Sequence, residues 1–217
     1  VVYVTNEAIK KNRALLDGRW DKNDTKDAAN AADLVSQGKC QFYDFPDIQL
    51  RDLRALLSLR GRLKKQLHSS RVRIRNNLVA QYFPELDSCW NQAQEENLAI
   101  VRWCLSPHKI SELSFEDFFK MVTTGTKSLR QYNRLSKIWQ TAPYSIGCQP
   151  GIAMEIEAQI LVENIKSIQT HIAIVEETIE DICLGFQEYQ YLLSIPGFGA
   201  YVSAVVLAAI GTAQRFD

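Results

Sequence analysis

Asp24 and Asp27 stand three residues apart in Lys22-Asn23-Asp24-Thr25-Lys26-Asp27-Ala28, at the head of a run that continues through Asn30, Ala31, Ala32, Leu34 and Val35. If that run is a helix, positions i and i+3 share a face, with Cβ atoms about 5–6 Å apart. Two ionised carboxylates that close repel each other. A magnesium or manganese ion between them would relieve the repulsion, because hard cations take oxygen ligands. The same pair also suits the start of a helix, with Asp24 as the N-cap and Asp27 as the acid of a capping-box-like turn, both favoured by the helix dipole. Spacing alone leaves both readings open.

A second stretch with chemical content runs from Leu192 to Leu207 and closes at Ile210-Gly211. It reads as an apolar helix end, the turn Pro196-Gly197-Phe198-Gly199, and a second helix opening on Ala200, the pattern of a helix-hairpin-helix. Glycines let the backbone approach a phosphate closely. The free N–H groups of such a turn and of the next helix N-terminus then hold a phosphate without reading sequence. Gly197, Phe198, Gly199 and Ala200 are therefore the candidate DNA-binding residues; a purely structural glycine turn is the competing reading.

These residues need elements to position them. Val1–Val4 reads as a buried strand, and Thr5 or Asn6 can cap a helix carrying Ala8, Ile9, Leu15 and Leu16. The Asp24 helix should reach about Gln37, with Gly38 as its C-cap glycine. Gln41–Tyr43 is a possible short strand. From Ile48 to Gln81 the pattern is helical, with Leu50, Leu53, Leu56, Leu57, Leu63, Leu67, Ile74 and Leu78 on one stripe and nine arginines and lysines on the other faces. Pro84 stops it.

Helices are expected around 88–105, 114–122 (Ser114 as N-cap) and 126–141, with breaks at Ser106-Pro107, Thr123-Thr124-Gly125 and 142–151. Trp90, Trp103, Phe118, Phe119 and Trp139 read as core. From Met154, apolar residues recur at 158, 161, 165, 168, 172, 175, 179 and 182, about four heptads flanked by acids. An acidic and a basic amphipathic helix in one chain suggest each other as antiparallel partners, a reading that competes with a nucleic-acid patch on the basic one.

With 217 residues and 46% hydrophobic content the chain can bury a real core, and its formal net charge is zero. Five scattered cysteines without C-x-x-C spacing fit reduced thiols in the cytoplasm, not a disulfide frame or a zinc site. No signal peptide and no apolar run of about 18 residues is present, so no membrane span is expected. The chain opens without Met on an apparent strand and stops directly after a helix, which suggests a fragment of a longer protein.

Taken together these residues resemble a transposase of the insertion-sequence 110 family, the DEDD type. Lys22–Ala28, followed by Ala32-Asp33-Leu34 and Gly38, is similar to the family's third and fourth acidic residues. Leu193–Gly199, through Ile210-Gly211 and Arg215-Phe216, is similar to the opening of its C-terminal transposase domain. The middle fits in position and character but carries no diagnostic motif.

The resemblance implies a ribonuclease-H-like (RuvC-like) domain whose four acids bind divalent metal, a coiled coil for assembly, and a C-terminal domain with a serine nucleophile. Some members are guided by a structured RNA. By resemblance, Asp24 and Asp27 are the last two acids, both catalytic and metal-binding, with Mg2+ or Mn2+ as cofactor in the intact protein. The first Asp and the Glu would precede Val1, and the serine would follow Asp217; neither Ser194 nor Ser203 stands at its position.

The expected fold is mainly α with a partial α/β N-terminus. It comprises a RuvC-like remnant over 1–46, a helical coiled-coil region over 47–186 with a helical insertion at about 85–150, and the start of the helix-hairpin-helix domain over 187–217. The expected function is DNA binding and metal-dependent strand transfer in the intact transposase, with DNA, a possible guide RNA and further copies of the chain as partners and the fragment inactive alone. The alternative is a non-catalytic, nucleic-acid-binding and dimerising helical module, in which the aspartates only cap a helix.

Overall fold

The computed structural model describes residues 2–16, 24–42, 45–89, 95–104, 106–123 and 128–211, and these are mostly helical. The chain divides into two compact units, Val1–Arg51 and Asp52–Asp217.

In the first unit β1 (Val2–Tyr3) pairs antiparallel with β2 (Gln41–Phe42), Val2 opposite Phe42 and Tyr3 opposite Gln41. The strand expected to be buried is instead exposed, Val2 at 38% and Tyr3 at 39%. A two-residue ribbon is too short to build a covered sheet. Helix α1 (Asn6–Leu16) starts at Thr5, whose hydroxyl accepts the Ala8 N–H at 3.2 Å and whose carbonyl accepts the Ile9 N–H at 3.0 Å.

Helix α2 (Asp24–Ser36) ends where its glycine predicts. Gly38 adopts φ +69°, the Lys39 N–H returns to the Leu34 carbonyl at 2.9 Å, and the Gly38 N–H reaches the Val35 carbonyl at 3.0 Å. These are the two bonds of a Schellman motif. Helices α1 and α2 pack on each other.

Helix α3 (Ile48–Arg73) runs on through a π-helical stretch, Ile74–Val79, into α4 (Ala80–Tyr82), so the helix expected over 48–81 carries one local widening. There the Ala80 N–H reaches back to the Arg75 carbonyl, and the extra residue keeps Ile74, Leu78 and Val79 all buried. Phe83, at φ −152°, breaks the helix, and Pro84, which needs no N–H acceptor, opens a 3-10 turn over Pro84–Cys89.

Beyond it come α5 (Glu95–Cys104), α6 (Pro107–Ser111), α7 (Phe115–Val122), α8 (Leu129–Thr141) and a 3-10 turn, Ala142–Tyr144. Ser114 caps α7 by accepting the Asp117 N–H at 3.2 Å, as expected, and Ser128 caps α8 by accepting the Gln131 N–H at 3.1 Å. The expected break at Ser106-Pro107 does separate two helices, α5 ending at Cys104 and α6 starting with Ser106 as N-cap and Pro107 in its first turn. Proline at that place loses no hydrogen bond, and its fixed φ suits the helix. Phe118 and Phe119 are buried and Trp139 is half-buried, its indole N–H on the Leu113 carbonyl at 2.9 Å; the side chains of Trp90 and Trp103 lie outside the described residues.

Helix α9 (Ile152–Leu184) is the long element of the second unit. Of the nine positions in its expected stripe, Ala158, Leu161, Ile165, Ile172, Val175 and Ile179 are buried, and Met154, Ile168 and Ile182 are half-buried. Burying each large aliphatic side chain contributes roughly 1.5–3 kcal/mol. One continuous core gathers Leu67, Ile74, Leu78 and Val79, residues of α5–α8, and the α9 positions up to Ile172. Ion pairs link the two long helices in opposite chain senses, Arg60 with Glu176 at 2.7 Å and Arg73 with Glu157 at 2.7 Å. Two short helices follow, α10 (Gln187–Leu193) and α11 (Ala200–Ile210), packed on each other and on α9. Between α9 and α10 the Cys183 thiol is fully buried, and burial with the nearby Glu180 charge pushes it up to about 11.

The segment 145–148 fastens the helical insertion to the end of α4. The Glu85 carboxylate accepts from the Ser145 hydroxyl at 2.5 Å and the Ile146 N–H at 3.0 Å, and the Cys148 N–H donates to the Gln81 carbonyl at 3.0 Å. A Cβ at Gly147 would collide with the Tyr82 carbonyl. Gly147→Ala should therefore destabilise the protein by roughly 1–3 kcal/mol, read as a lower denaturation midpoint. Burial alone would raise the Glu85 pKa, but the bonds from Ser145 and Ile146 outweigh it and hold it below its ordinary 4.5. A lowered carboxylate contributes stability that is complete above 4.5 and lost as pH falls through the folded value. Melting temperature should thus fall on the acid side of pH 4.5, and Glu85→Gln should flatten that limb.

Candidate functional site

Two places carry the residues that spacing picked out, one in each unit. In the first unit, Asp24 and Asp27 both lie in the first turn of α2, where carboxylates oppose the positive end of the helix. Asp24 is exposed. Asp27 turns toward α1 and accepts a charged hydrogen bond from Arg13, with the two side chains 25% and 21% exposed.

The same face of α2 continues one and two turns on as a polar ladder. The Asn12 amide donates to Asn30 Oδ1 at 2.7 Å and to Asp33 Oδ2 at 3.0 Å, and the Asn30 amide donates to the Ile9 carbonyl at 2.7 Å. Gln37 adds a bond to Asp33 Oδ2 at 2.8 Å. The Asn12 bond first, then Gln37 and the Lys39 charge, hold the Asp33 carboxyl below its usual range against a smaller effect of burial.

Asp27, Asn30 and Asp33 recur at intervals of three, so this ladder was legible as a polar stripe on α2. Its partners were not, because Asn12 and Arg13 sit on another helix with no spacing that ties them to it. Asn12 is 8% exposed and Asn30 2%. Leaving a buried polar group unmatched costs about 1–3 kcal/mol. Asn12→Ala should destabilise the first unit by that order, seen as loss of amide-exchange protection in α1 and α2; unchanged protection would mean the ladder adds nothing.

In the second unit the stretch around Gly197–Ala200 joins α10 to α11. Gly197 takes φ +90°, which L side chains rarely adopt, whereas Gly199 lies at φ −82° with open space around its Cα. The fold therefore requires glycine at 197 and does not require it at 199. No side chain caps α11, whose first backbone bond is the Ser203 N–H to the Gly199 carbonyl at 3.0 Å. Gly197, Gly199 and Ala200 are exposed and Phe198 is half-buried.

Basic residues of α3 fix this hairpin, and the sequence pattern alone does not show it. Arg54 donates to the Ala208 carbonyl at 2.7 Å. Arg60, already bonded to Glu176, lays its guanidinium 3.9 Å from the centre of the Tyr201 ring. Such a cation–π contact contributes roughly 0.5–2 kcal/mol. Ser203 is fully buried in α11, away from solvent.

No helix among the described residues is long and apolar enough to cross a membrane. A search among curated proteins gives no match to the chain. A family model described as a transposase, the DEDD type of insertion sequence 110, matches residues 1–84, a span that takes in α1, the Asp24–Asp27 turn of α2, and the basic helix α3 with its π-helical end. Over residues 1–84, then, the chain is similar to the DEDD-type transposases of insertion sequence 110.

Proposed function

We propose that this chain is a segment of a DNA transposase, with Asp24 and Asp27 contributing to metal-dependent strand transfer and the Gly197–Ala200 turn contacting the DNA backbone. The observation that carries the reading is the family match across the two aspartates, which stand together in the first turn of one helix.

Carboxylates are the right donors for magnesium or manganese, but their number falls short. Asp27 already accepts from Arg13, and among the described residues no three His, Cys, Asp or Glu side chains gather as a metal site. These residues do not hold the ion by themselves. Asp24 and Asp27 are two ligands of a larger set, so the isolated chain should bind magnesium weakly and catalyse no strand transfer.

The turn offers its contact through uncapped N–H groups at the start of α11, where the helix dipole favours an anion. An unneeded glycine at 199 leaves that approach clear. The α3–α9 pair serves as a coiled coil through which copies of the protein assemble, and a structured RNA is a further partner that the family reading brings.

One observation favours the second reading, a nucleic-acid-binding helical module without chemistry. The Arg13–Asp27 pair is what a carboxylate with a structural role would show. Asp24→Asn separates the two, since Asn caps a helix about as well as Asp. In the intact transposase that variant should keep its melting temperature and lose transposition by orders of magnitude; transposition at the parent rate would leave Asp24 a structural role in the first turn of α2. Gly199→Val, for which the fold has room, should weaken binding to duplex DNA of any sequence. Equal binding by a folded variant would make the turn structural.

A further inference from the structure

The α3–α9 pair is matched in charge at its ends and unmatched in its middle. Near one end Glu176 takes Arg60 at 2.7 Å and Lys64 more loosely at 3.4 Å; near the other Glu157 takes Arg73 at 2.7 Å. Between these pairs α3 holds no acid, since none occurs from 53 to 84, and α9 holds only Glu163, which lies 3.5 Å from Arg102 and leaves 164 to 175 free of acids.

That middle stretch is where a groove of about 370 Å³ opens between the helices, a size within the roughly 300–1,000 Å³ of small-ligand sites. Lys64, His68 and Arg71 line it from α3, at the i, i+4 and i+7 spacing that places them on one face. Opposite them α9 presents Gln169 and Ala173, with Leu67 and Ile172 beneath. Arg71 is half-buried, and its Nε is shut off from solvent with no hydrogen-bond partner. That one N–H is left without an acceptor, which for a buried donor costs about 1–3 kcal/mol. Two of the chain's three histidines, His68 and His171, and also Lys65 and Lys166, fall in the same acid-free windows.

We propose that this groove is an oxyanion site that takes a phosphate of a nucleic-acid backbone, with Arg71 as its principal donor and Lys64 and His68 beside it. The inference rests on the reading of the chain as a DNA-processing protein and adds a contact surface distinct from the Gly197–Ala200 turn. A planar guanidinium suits a phosphate better than a point charge does, since it can offer two parallel N–H donors. Glu176 closes one end of the groove and is neutralised there by Arg60, so it does not repel the incoming phosphate. The floor of Leu67 and Ile172 lowers the local dielectric and strengthens the contact.

The test uses the 217-residue chain and a fluorescein-labelled 30-base-pair duplex, by anisotropy across a salt series. Arg71→Gln should weaken binding to unrelated sequences alike and reduce the slope of log K against log [salt] by about one. A second variant guards against a merely unfolded protein. Gln169→Glu puts an acid opposite Arg71 at an exposed position of α9; it should raise the melting temperature while lowering duplex affinity at least several-fold. Arg71→Lys, which keeps the charge without the fork, should fall between parent and Arg71→Gln. If the parent binds duplex and Gln169→Glu binds it equally well, the groove is not a phosphate site and the transposase reading survives. If the parent itself binds no duplex at low salt, the DNA-binding part of that reading falls and the groove falls with it.

Discussion

The second unit depends on the buried stripe of α9. Ala158, Leu161, Ile165 and Ile172 reach into one continuous core shared with α5–α8 and with the far half of the helix that begins as α3. The apolar contribution is large beside the ion pairs that decorate the two long helices, since an exposed pair is worth about 0–1 kcal/mol. Arg60–Glu176 and Arg73–Glu157 thus select the relative direction of the helices more than they hold them together. Acids meet α3 near both ends of the interface, and the α9 stretch from 164 to 175 between them carries none.

Arg60 shows how that interface reaches the hairpin. One guanidinium serves Glu176 on α9 and the Tyr201 ring on α11, so the first turn of α11 is referenced to both long helices at once. Arg54 ties the other end of α11 to α3 alone, on the Ala208 carbonyl. Held this way, the turn keeps its N–H groups in one orientation, which would leave less ordering to any ligand that the proposed contact brings. Ser203 and Ala204 make the close approach possible, being small and fully buried on the packed face of α11.

Much of this was legible in the chain because it is local. The α9 stripe follows from a step of four and three repeated without fault, and Gly38 and Ser114 end and start helices through bonds within five residues of themselves. Ser106-Pro107 separates two helices as expected, and its proline opens the second of them. What was misread depends on more than local chemistry. Val2 and Tyr3 have the composition of a core strand and lie on a two-residue ribbon. At the aspartates, spacing located the helix and its acidic first turn but not Arg13, which reaches Asp27 from another helix fourteen residues away. A pairing of that kind leaves no period behind it, and it bears directly on whether Asp27 is available to a metal.

The thiol at the end of α9 has a practical consequence. Cys183 is sealed between α9 and α10, and a pKa near 11 keeps it protonated at neutral pH, where a thiol is a poor nucleophile. Its reaction with an alkylating reagent must wait until that corner opens and restores an ordinary thiol. Cys148, exposed on the segment that fastens the insertion, needs no such opening. The natural sequence thus carries a slow and a fast label in one molecule, and the ratio of their alkylation rates is a clock for how often the hairpin detaches from the long helix.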